Sequence, residues 1–211
     1  GGDVSGHSVS LDSSGTTLAI GATHNNGGGN DAGHVRVYKN VSGTWTQVGS
    51  DIDGEAGGDY SGHSVSLSSD GSIVAIGATH NDGGGSNGGH VRVYKNVSGT
   101  WTQVGSDIDA ATADDYFGTS VSLSNDGTIV AIGAYLNDGN GNSSGHVRVY
   151  QNVSGTWTQV GSDINGEASG DRSGYSVSLS SDGSIVTIGS VHNAGNGSRA
   201  GHVRVISLGG L

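Results

Sequence analysis

Acidic side chains recur in the segment that follows each Thr-Trp-Thr-Gln sequence. Carboxylates that converge in such a segment would bind a cation, because a hard cation needs several oxygen ligands. Carboxylates that stay apart form a solvated loop that helps to keep a glycine-rich chain in solution, and this is the arrangement that we expect. The acidic residues are Asp51, Asp53, Glu55 and Asp59, then Asp107, Asp109, Asp114 and Asp115, then Asp163, Glu167 and Asp171.

Four loops rich in Asn, Asp and Gly offer a second kind of chemistry. They span residues 24–32, 80–88, 136–144 and 192–200, and they vary more between copies than the sequence around them. Amide and backbone oxygens in these loops could hold calcium or a sugar hydroxyl, and a flexible connector is the alternative. The candidate ligand-binding residues are Asn25, Asn81, Asp82, Asn137, Asp138 and Asn193.

Four of the nine histidines recur at a spacing of 56 residues, namely His34, His90, His146 and His202. Copies on neighbouring repeats point apart, so the four rings do not converge on one tetrahedral metal centre. We expect each ring to make a structural hydrogen bond where its strand begins. The sequence thus predicts no metal site and no cofactor, with calcium in the loops as the alternative.

No catalytic constellation is recognisable. A reacting site needs a nucleophile, a base within hydrogen-bond reach and a group that orients the base. Nearly every polar residue is a copy of one elsewhere in the chain, and no serine or histidine lies in a known catalytic motif. We therefore expect a chain that is not an enzyme.

Asn-Val-Ser-Gly precedes each tryptophan, at Asn40, Asn96 and Asn152. In a eukaryotic secretory protein these three asparagines could carry glycans. In a bacterium the same four residues are good turn chemistry.

These residues all belong to one repeating unit. Gly6-His7-Ser8-Val9-Ser10-Leu11 recurs from Gly62, with variants from Gly118 and Gly174, always 56 residues apart. We read the chain as a single repeat domain, 1–211, with units 1–56, 57–112, 113–168 and 169–211. The last unit ends before its tryptophan segment.

Each unit contains four strand signals. In the second unit, Ser64–Leu67 alternates between polar and apolar residues and ends at Asp70-Gly71, which suits a tight hairpin turn. The run 73–78 is continuously apolar, as in a strand covered on both faces. Two further strands, 90–94 and 100–104, flank an Asn-Val-Ser-Gly turn. No segment has a helical period, so the fold is all-β.

Four short strands per unit, joined by short turns and repeated, are typical of a β-propeller. The predicted fold is a β-propeller-type repeat of four blades with four antiparallel strands each, the last blade being incomplete. A β-solenoid is the rival, but its coils usually need about half of this period. The incomplete last unit predicts open blade edges. We expect the chain to be part of a larger propeller or to assemble with further copies.

The unit resembles the FG-GAP repeat, which forms blades of the integrin α-subunit head and of many bacterial and algal surface proteins. Phe117-Gly118 matches the name-giving pair, and Ile20-Gly21-Ala22, Ile76-Gly77-Ala78 and Ile132-Gly133-Ala134 match the Gly-Ala element. The Gly-Thr-Trp-Thr-Gln segment is similar to a bacterial-type subgroup of large secreted proteins. The resemblance implies an extracellular, secreted or cell-surface location.

The amino-acid composition limits the kinds of partner that the chain is expected to bind. The chain has 8 basic residues and a net charge of −11, which argues against nucleic acid, whose binding requires clustered Lys and Arg. No apolar stretch is long enough to insert into a membrane. The expected partners are other protein chains or further copies at the open edges, and a glycan is a further candidate. The expected function is a non-catalytic module for adhesion, ligand binding or surface assembly. The alternatives are a carbohydrate-binding lectin propeller and a purely structural repeat or filament segment.

Overall fold

The computed structural model describes residues 2–209, and its regular structure consists of β-strands. Four antiparallel sheets follow one another along the chain, one per repeat, which confirms the predicted propeller-type fold. Blade 1 contains β1 (Ser5–Leu11), β2 (Thr17–Ala22), β3 (His34–Val41), β4 (Thr44–Gln47) and β5 (Ile52–Asp53). Blade 2 contains β6 (Ser61–Leu67), β7 (Ile73–Ala78), β8 (His90–Val97), β9 (Thr100–Gln103) and β10 (Ile108–Asp109). Blade 3 contains β11 (Ser120–Leu123), β12 (Ile129–Ala134), β13 (His146–Val153), β14 (Thr156–Gln159) and β15 (Ile164–Asn165), and blade 4 contains β16 (Ser173–Leu179), β17 (Ile185–Ser190) and β18 (His202–Ser207).

The first four strands of a complete blade pair in sequence order, and a two-residue strand adds a fifth pairing. In blade 1, β5 pairs with the beginning of β3, with Ile52 opposite Val35. The sequence analysis missed these short strands because two residues carry no alternation. They matter because they hold the acidic segment after each tryptophan strand against the beginning of the third strand.

The first strands of successive blades lie side by side. The Ser8 hydroxyl donates to the Gly62 carbonyl over 2.7 Å, and Ser64 and Ser120 donate in the same way to the next blade. In the other direction, the Leu67 amide donates to the Ser10 hydroxyl over 3.0 Å. Each alternating serine therefore links its blade to the following one.

The apolar core lies between blades. Ala19, Val35, Val37 and Ile52 of blade 1 pack against Val65, Leu67, Val74 and Ile76 of blade 2, and equivalent clusters lie between the later blades. We call the first set the outgoing face of a blade and the second set the incoming face of the next. The backbones of neighbouring blades approach each other so closely that a Cβ on Gly77 of blade 2 would collide with the carbonyl oxygen of Gly118 beside blade 3.

The two terminal blades each keep one such face uncovered. On the incoming face of blade 1, Val9 and Leu11 are 63% and 57% exposed, whereas Val65 and Leu67 are 9% and 8% exposed. On the outgoing face of blade 4, Val203 and Val205 are 66% and 69% exposed. Blades 1 and 4 thus do not cover one another, and residues 2–209 form an open arc.

Across this described part of the chain, no helix is long and apolar enough to cross a membrane.

Candidate functional site

The predicted ligand-binding residues lie on the four Asn/Asp/Gly-rich loops that join the second and third strands of each blade, which we call the rim loops. Their side chains form hydrogen bonds that hold these loops in shape. The side-chain oxygens of Asn25, Asn81 and Asn137 accept a hydrogen bond from the glycine amide two residues later, each over 2.8 Å. Asn193 does the same over 3.0 Å. Their amide groups donate to an aspartate of the preceding segment, as Asn81 does to Asp59 over 3.1 Å.

The two aspartates among the predicted ligand-binding residues also accept hydrogen bonds within their own loops. The Asp82 carboxylate accepts from the Asn87 amide and the Asp138 carboxylate from the Ser143 amide, over 2.8 and 2.7 Å. These contacts leave other oxygens open to solvent. Binding of a ligand by these rim residues stays a prediction.

A cleft of about 430 Å³ separates the linker between blades 1 and 2 from the rim loop of blade 2. Five carboxylate side chains line it, and they are Glu55, Asp59, Asp82, Asp107 and Asp109. His80, Asn81, Ser86 and Asn87 supply the remaining polar side chains. Such a lining favours cations and hydrogen-bond donors over anions.

The phased histidines lie beneath these acidic segments, and the expected hydrogen bond is missing in three of them. His34, His90 and His146 are at most 2% exposed, and no described residue is a hydrogen-bond partner of their Nδ1 atoms. Only in blade 4 does the ring bond, where Nδ1 of His202 lies 3.0 Å from Glu167. The expectation of a structural hydrogen bond at each ring was therefore wrong. The two-residue strand brings carboxylates near Nδ1 without closing the bond.

The arginine two residues after each buried histidine lies on the same strand, and its hydrogen-bond partner differs between blades. Arg36 makes two hydrogen bonds to Asp51, over 2.9 and 2.8 Å, and Arg148 makes two to Asp163, both over 2.8 Å. The Arg148 guanidinium lowers the pKa of Asp163 to about 2. In blade 2 the arginine turns the other way, and Arg92 donates to the Asp53 carbonyl over 2.7 Å. Sequence reasoning could not foresee this, because the arginine is the same residue in every copy.

The hairpin carboxylates and the Asn-Val-Ser-Gly turns are engaged in their own turns. The Asp70 carboxylate accepts from Ser68 and from Ser72, over 2.7 and 2.9 Å. The Asn40 side chain accepts from the Gly43 amide over 2.8 Å. The side-chain nitrogens of Asn96 and Asn152, to which a glycan would attach, are buried. Glycosylation of Asn40, Asn96 and Asn152 stays a prediction that no observation here tests.

Residues 106–150 match the sequence profile of the FG-GAP repeat. The remaining units copy these residues at a spacing of 56 and fold into the same blade. Residues 106–150 are therefore an FG-GAP repeat, and the whole described chain has a β-propeller-type fold. Membership of the bacterial-type secreted subgroup stays a prediction. No curated protein sequence matches the chain.

Solved structures share the fold of this chain at low sequence identity. A putative 6-phosphogluconolactonase from Bacteroides uniformis is 11% identical with a TM-score of 0.59, over 86% of this chain and 46% of that one. The periplasmic gluconolactonase PpgL of Pseudomonas aeruginosa is 17% identical with a TM-score of 0.58, over 95% and 56%. The Cps50 (Swd1) β-propeller domain of Myceliophteria thermophila is 12% identical with a TM-score of 0.51, over 86% and 49%. The chain thus spans about half the length of the solved structures it matches.

Two of these structures carry the names of lactonases, and this corrects one expectation. We expected a chain that is not an enzyme, because its polar residues are repeated and form no known motif. Structures with the same fold carry the names of lactonases, so the β-propeller fold of this chain does not exclude catalysis. The physical reason is that function depends on the particular site that a fold carries and not on the fold itself.

Proposed function

We propose that the chain is an assembly module that pairs head to tail with a second copy through its two uncovered blade faces. The single observation that carries this proposal is the exposure of Val9 and Leu11 at one end and of Val203 and Val205 at the other. Apolar side chains of this size are buried at the equivalent positions between the internal blades, where each contributes about 1.5–3 kcal/mol on full burial. Two faces of this kind on one chain favour association.

The two faces complement each other rather than themselves. Inside the chain, an outgoing face always packs against an incoming face. The free outgoing face of blade 4 therefore fits the free incoming face of blade 1 of another copy. The serine links continue the same pattern, since Ser176 lies where Ser64 and Ser120 donate to the following blade. Its acceptor in a second copy would be the Gly6 carbonyl.

A second copy is the occupant that best fits the size of the arc. The chain superposes on 49% of a β-propeller domain, so one chain supplies about half of a ring. Two copies of four blades would make a ring of eight, within the usual range of about 4–8 blades. Head-to-tail contacts at both ends would then close without leaving a free face.

The extracellular location and the adhesive role belong to the same proposal. They are supported by the similarity to repeats of surface proteins, and by a net charge of −11 that favours protein or cation partners over nucleic acid. The rim loops would remain accessible on such a ring, because they lie at the edges of the blades and not on the paired faces.

Complementation between two blocked variants tests the pairing. V9D/L11D blocks the incoming face, and V203D/V205D blocks the outgoing face. Each variant alone should sediment as a monomer, whereas an equimolar mixture should form a dimer through the one interface that remains intact. The control is V41D/V97D, which changes two valines that are 57% and 56% exposed outside these faces and should pair like the unmodified chain. A mixture that stays monomeric while the unmodified chain pairs would refute the head-to-tail arrangement.

A further inference from the structure

Glu55 and Asp107, two of the carboxylate residues that line the acidic cleft, lie beside the buried His90. Nδ1 of His90 lies 3.9 Å from a carboxylate oxygen of Glu55 and 3.9 Å from one of Asp107. The three ligand atoms all lie within 4.8 Å of one another. Asp109 lies next to them, with an oxygen 4.0 Å from the same Nδ1 atom.

His90 points to a ligand independently of the carboxylates. Its side chain is 1% exposed, and no described residue offers Nδ1 a hydrogen bond. Leaving a buried polar atom without a partner costs about 1–3 kcal/mol. A neutral imidazole carries a lone pair on one ring nitrogen, which is the atom that coordinates a metal ion.

We propose that Glu55, His90 and Asp107 bind a divalent transition-metal ion such as Zn²⁺. One imidazole nitrogen with carboxylate oxygens is a ligand set that suits zinc and its neighbours more than calcium, which takes oxygen alone. Tetrahedral coordination at 2.0–2.2 Å places ligand atoms about 3.3 Å apart. Small rotations of Glu55 and Asp107, which are 45% and 30% exposed, close the gap.

Blades 1 and 3 lack an equivalent site, because in each of them an arginine engages the aspartate that matches Asp107. In blade 3, Ala111 and Asn165 stand at the positions of Glu55 and Asp109, and Arg148 covers both oxygens of Asp163. In blade 1, Asp51 and Asp53 do lie near His34, but Arg36 covers both oxygens of Asp51. In blade 2, Arg92 contacts Glu55 over 3.4 Å and the Asp53 carbonyl instead. Arg92 therefore does not pair with Asp107, and the carboxylate of Asp107 can bind the metal.

Calorimetric titration of the metal-free chain with ZnCl₂ tests the site. We expect one Zn²⁺ per chain and a rise in the thermal unfolding temperature on binding. E55Q should weaken binding at least tenfold, and because Glu55 is half exposed this variant should fold. H90N should do the same, whereas H146N, which changes the matching buried ring in blade 3, should bind as the unmodified chain does.

A gain of binding provides the second test, which does not depend on the folding of H90N. A111E/N165D installs the two missing carboxylates in blade 3, and the new glutamate side chain should draw Arg148 away from Asp163 as Glu55 draws Arg92. In an E55Q background these two changes should restore binding of one Zn²⁺. The proposal is overturned if E55Q and H90N bind Zn²⁺ as tightly as the unmodified chain, or if the unmodified chain binds none.

Discussion

The tryptophan of each complete blade offers a test of how the blades hold together. The Trp101 indole donates to the Val48 carbonyl of the preceding blade over 2.8 Å, and Trp157 donates to Val104 in the same way. Trp101 also packs against the core between blades 1 and 2. Trp45 has no preceding blade and is 43% exposed. The same residue in the same strand is thus an anchor between blades in two copies and a surface side chain in the third.

The structure sets the expected magnitudes for replacing these residues. W101A removes one hydrogen bond, worth about 1 kcal/mol, and the packing of a partly buried aromatic ring, worth about 2 kcal/mol. We therefore expect a loss of about 3 kcal/mol. W45A removes neither interaction and should cost less than about 1 kcal/mol.

Urea unfolding followed by circular dichroism measures both values. The variants should be compared in a V203D/V205D background, so that pairing does not contribute to stability. Repeat proteins can unfold in more than one step, so the slopes of the transitions must agree before free energies are compared. Equal losses for W101A and W45A, or a thermally silent W101A, would refute the anchoring of one blade on the next.

Three further predictions follow from the same contacts. G77A should cost several kcal/mol, because its Cβ would collide with the backbone carbonyl of Gly118. In G189A the Cβ would collide only with the Ser176 hydroxyl, a side-chain group that can rotate away, so the monomer should stay stable while pairing of two copies weakens. Urea unfolding and sedimentation measure the two effects. Burial lowers the pKa values of His63, His90 and His146 to about 4, so the unfolded chain binds more protons below its ordinary histidine pKa of about 6.5. Stability should accordingly be complete above about pH 6.5 and fall between pH 6.5 and pH 4, and H146N should flatten the decline in the urea midpoint. Adding calcium to the metal-free chain should leave the melting temperature nearly unchanged, because the hairpin carboxylates bond within their own turns; a rise of more than about 5 °C would show that they converge on calcium.

Most of the fold could be predicted from the repeat. The alternation in Ser64–Leu67 and the apolar run from Ile73 place two strands, and the glycines at Gly71 and Gly99 adopt the positive φ values of 69° and 89° that their turns require. The two-residue strands such as Ile52–Asp53 escaped prediction, because pairing over two residues depends on the neighbouring strand and not on local pattern.

The candidate sites were less predictable, because repeated residues do not make repeated contacts. His34, His90 and His146 lie in the same strand sequence, yet only beside His90 do two carboxylates keep oxygens that no arginine has engaged. The difference comes from Glu55, which lies in the linker before blade 2 and has alanine as its counterpart in the next unit. A position-by-position comparison of the repeats would have revealed this difference between Glu55 and its alanine counterpart. The prediction from sequence considered only whether the four histidines converge on each other, and therefore missed it.

The mass of the 211-residue chain in solution tests the central claim most directly. The chain has a mass of 20.8 kDa, so a closed pair of copies has twice that mass. Light scattering after size exclusion should give the doubled value over a range of micromolar concentrations, without a ladder of larger species. Added salt should favour pairing, because two chains of net charge −11 repel each other. A folded species that stays at 20.8 kDa under all these conditions would contradict the account.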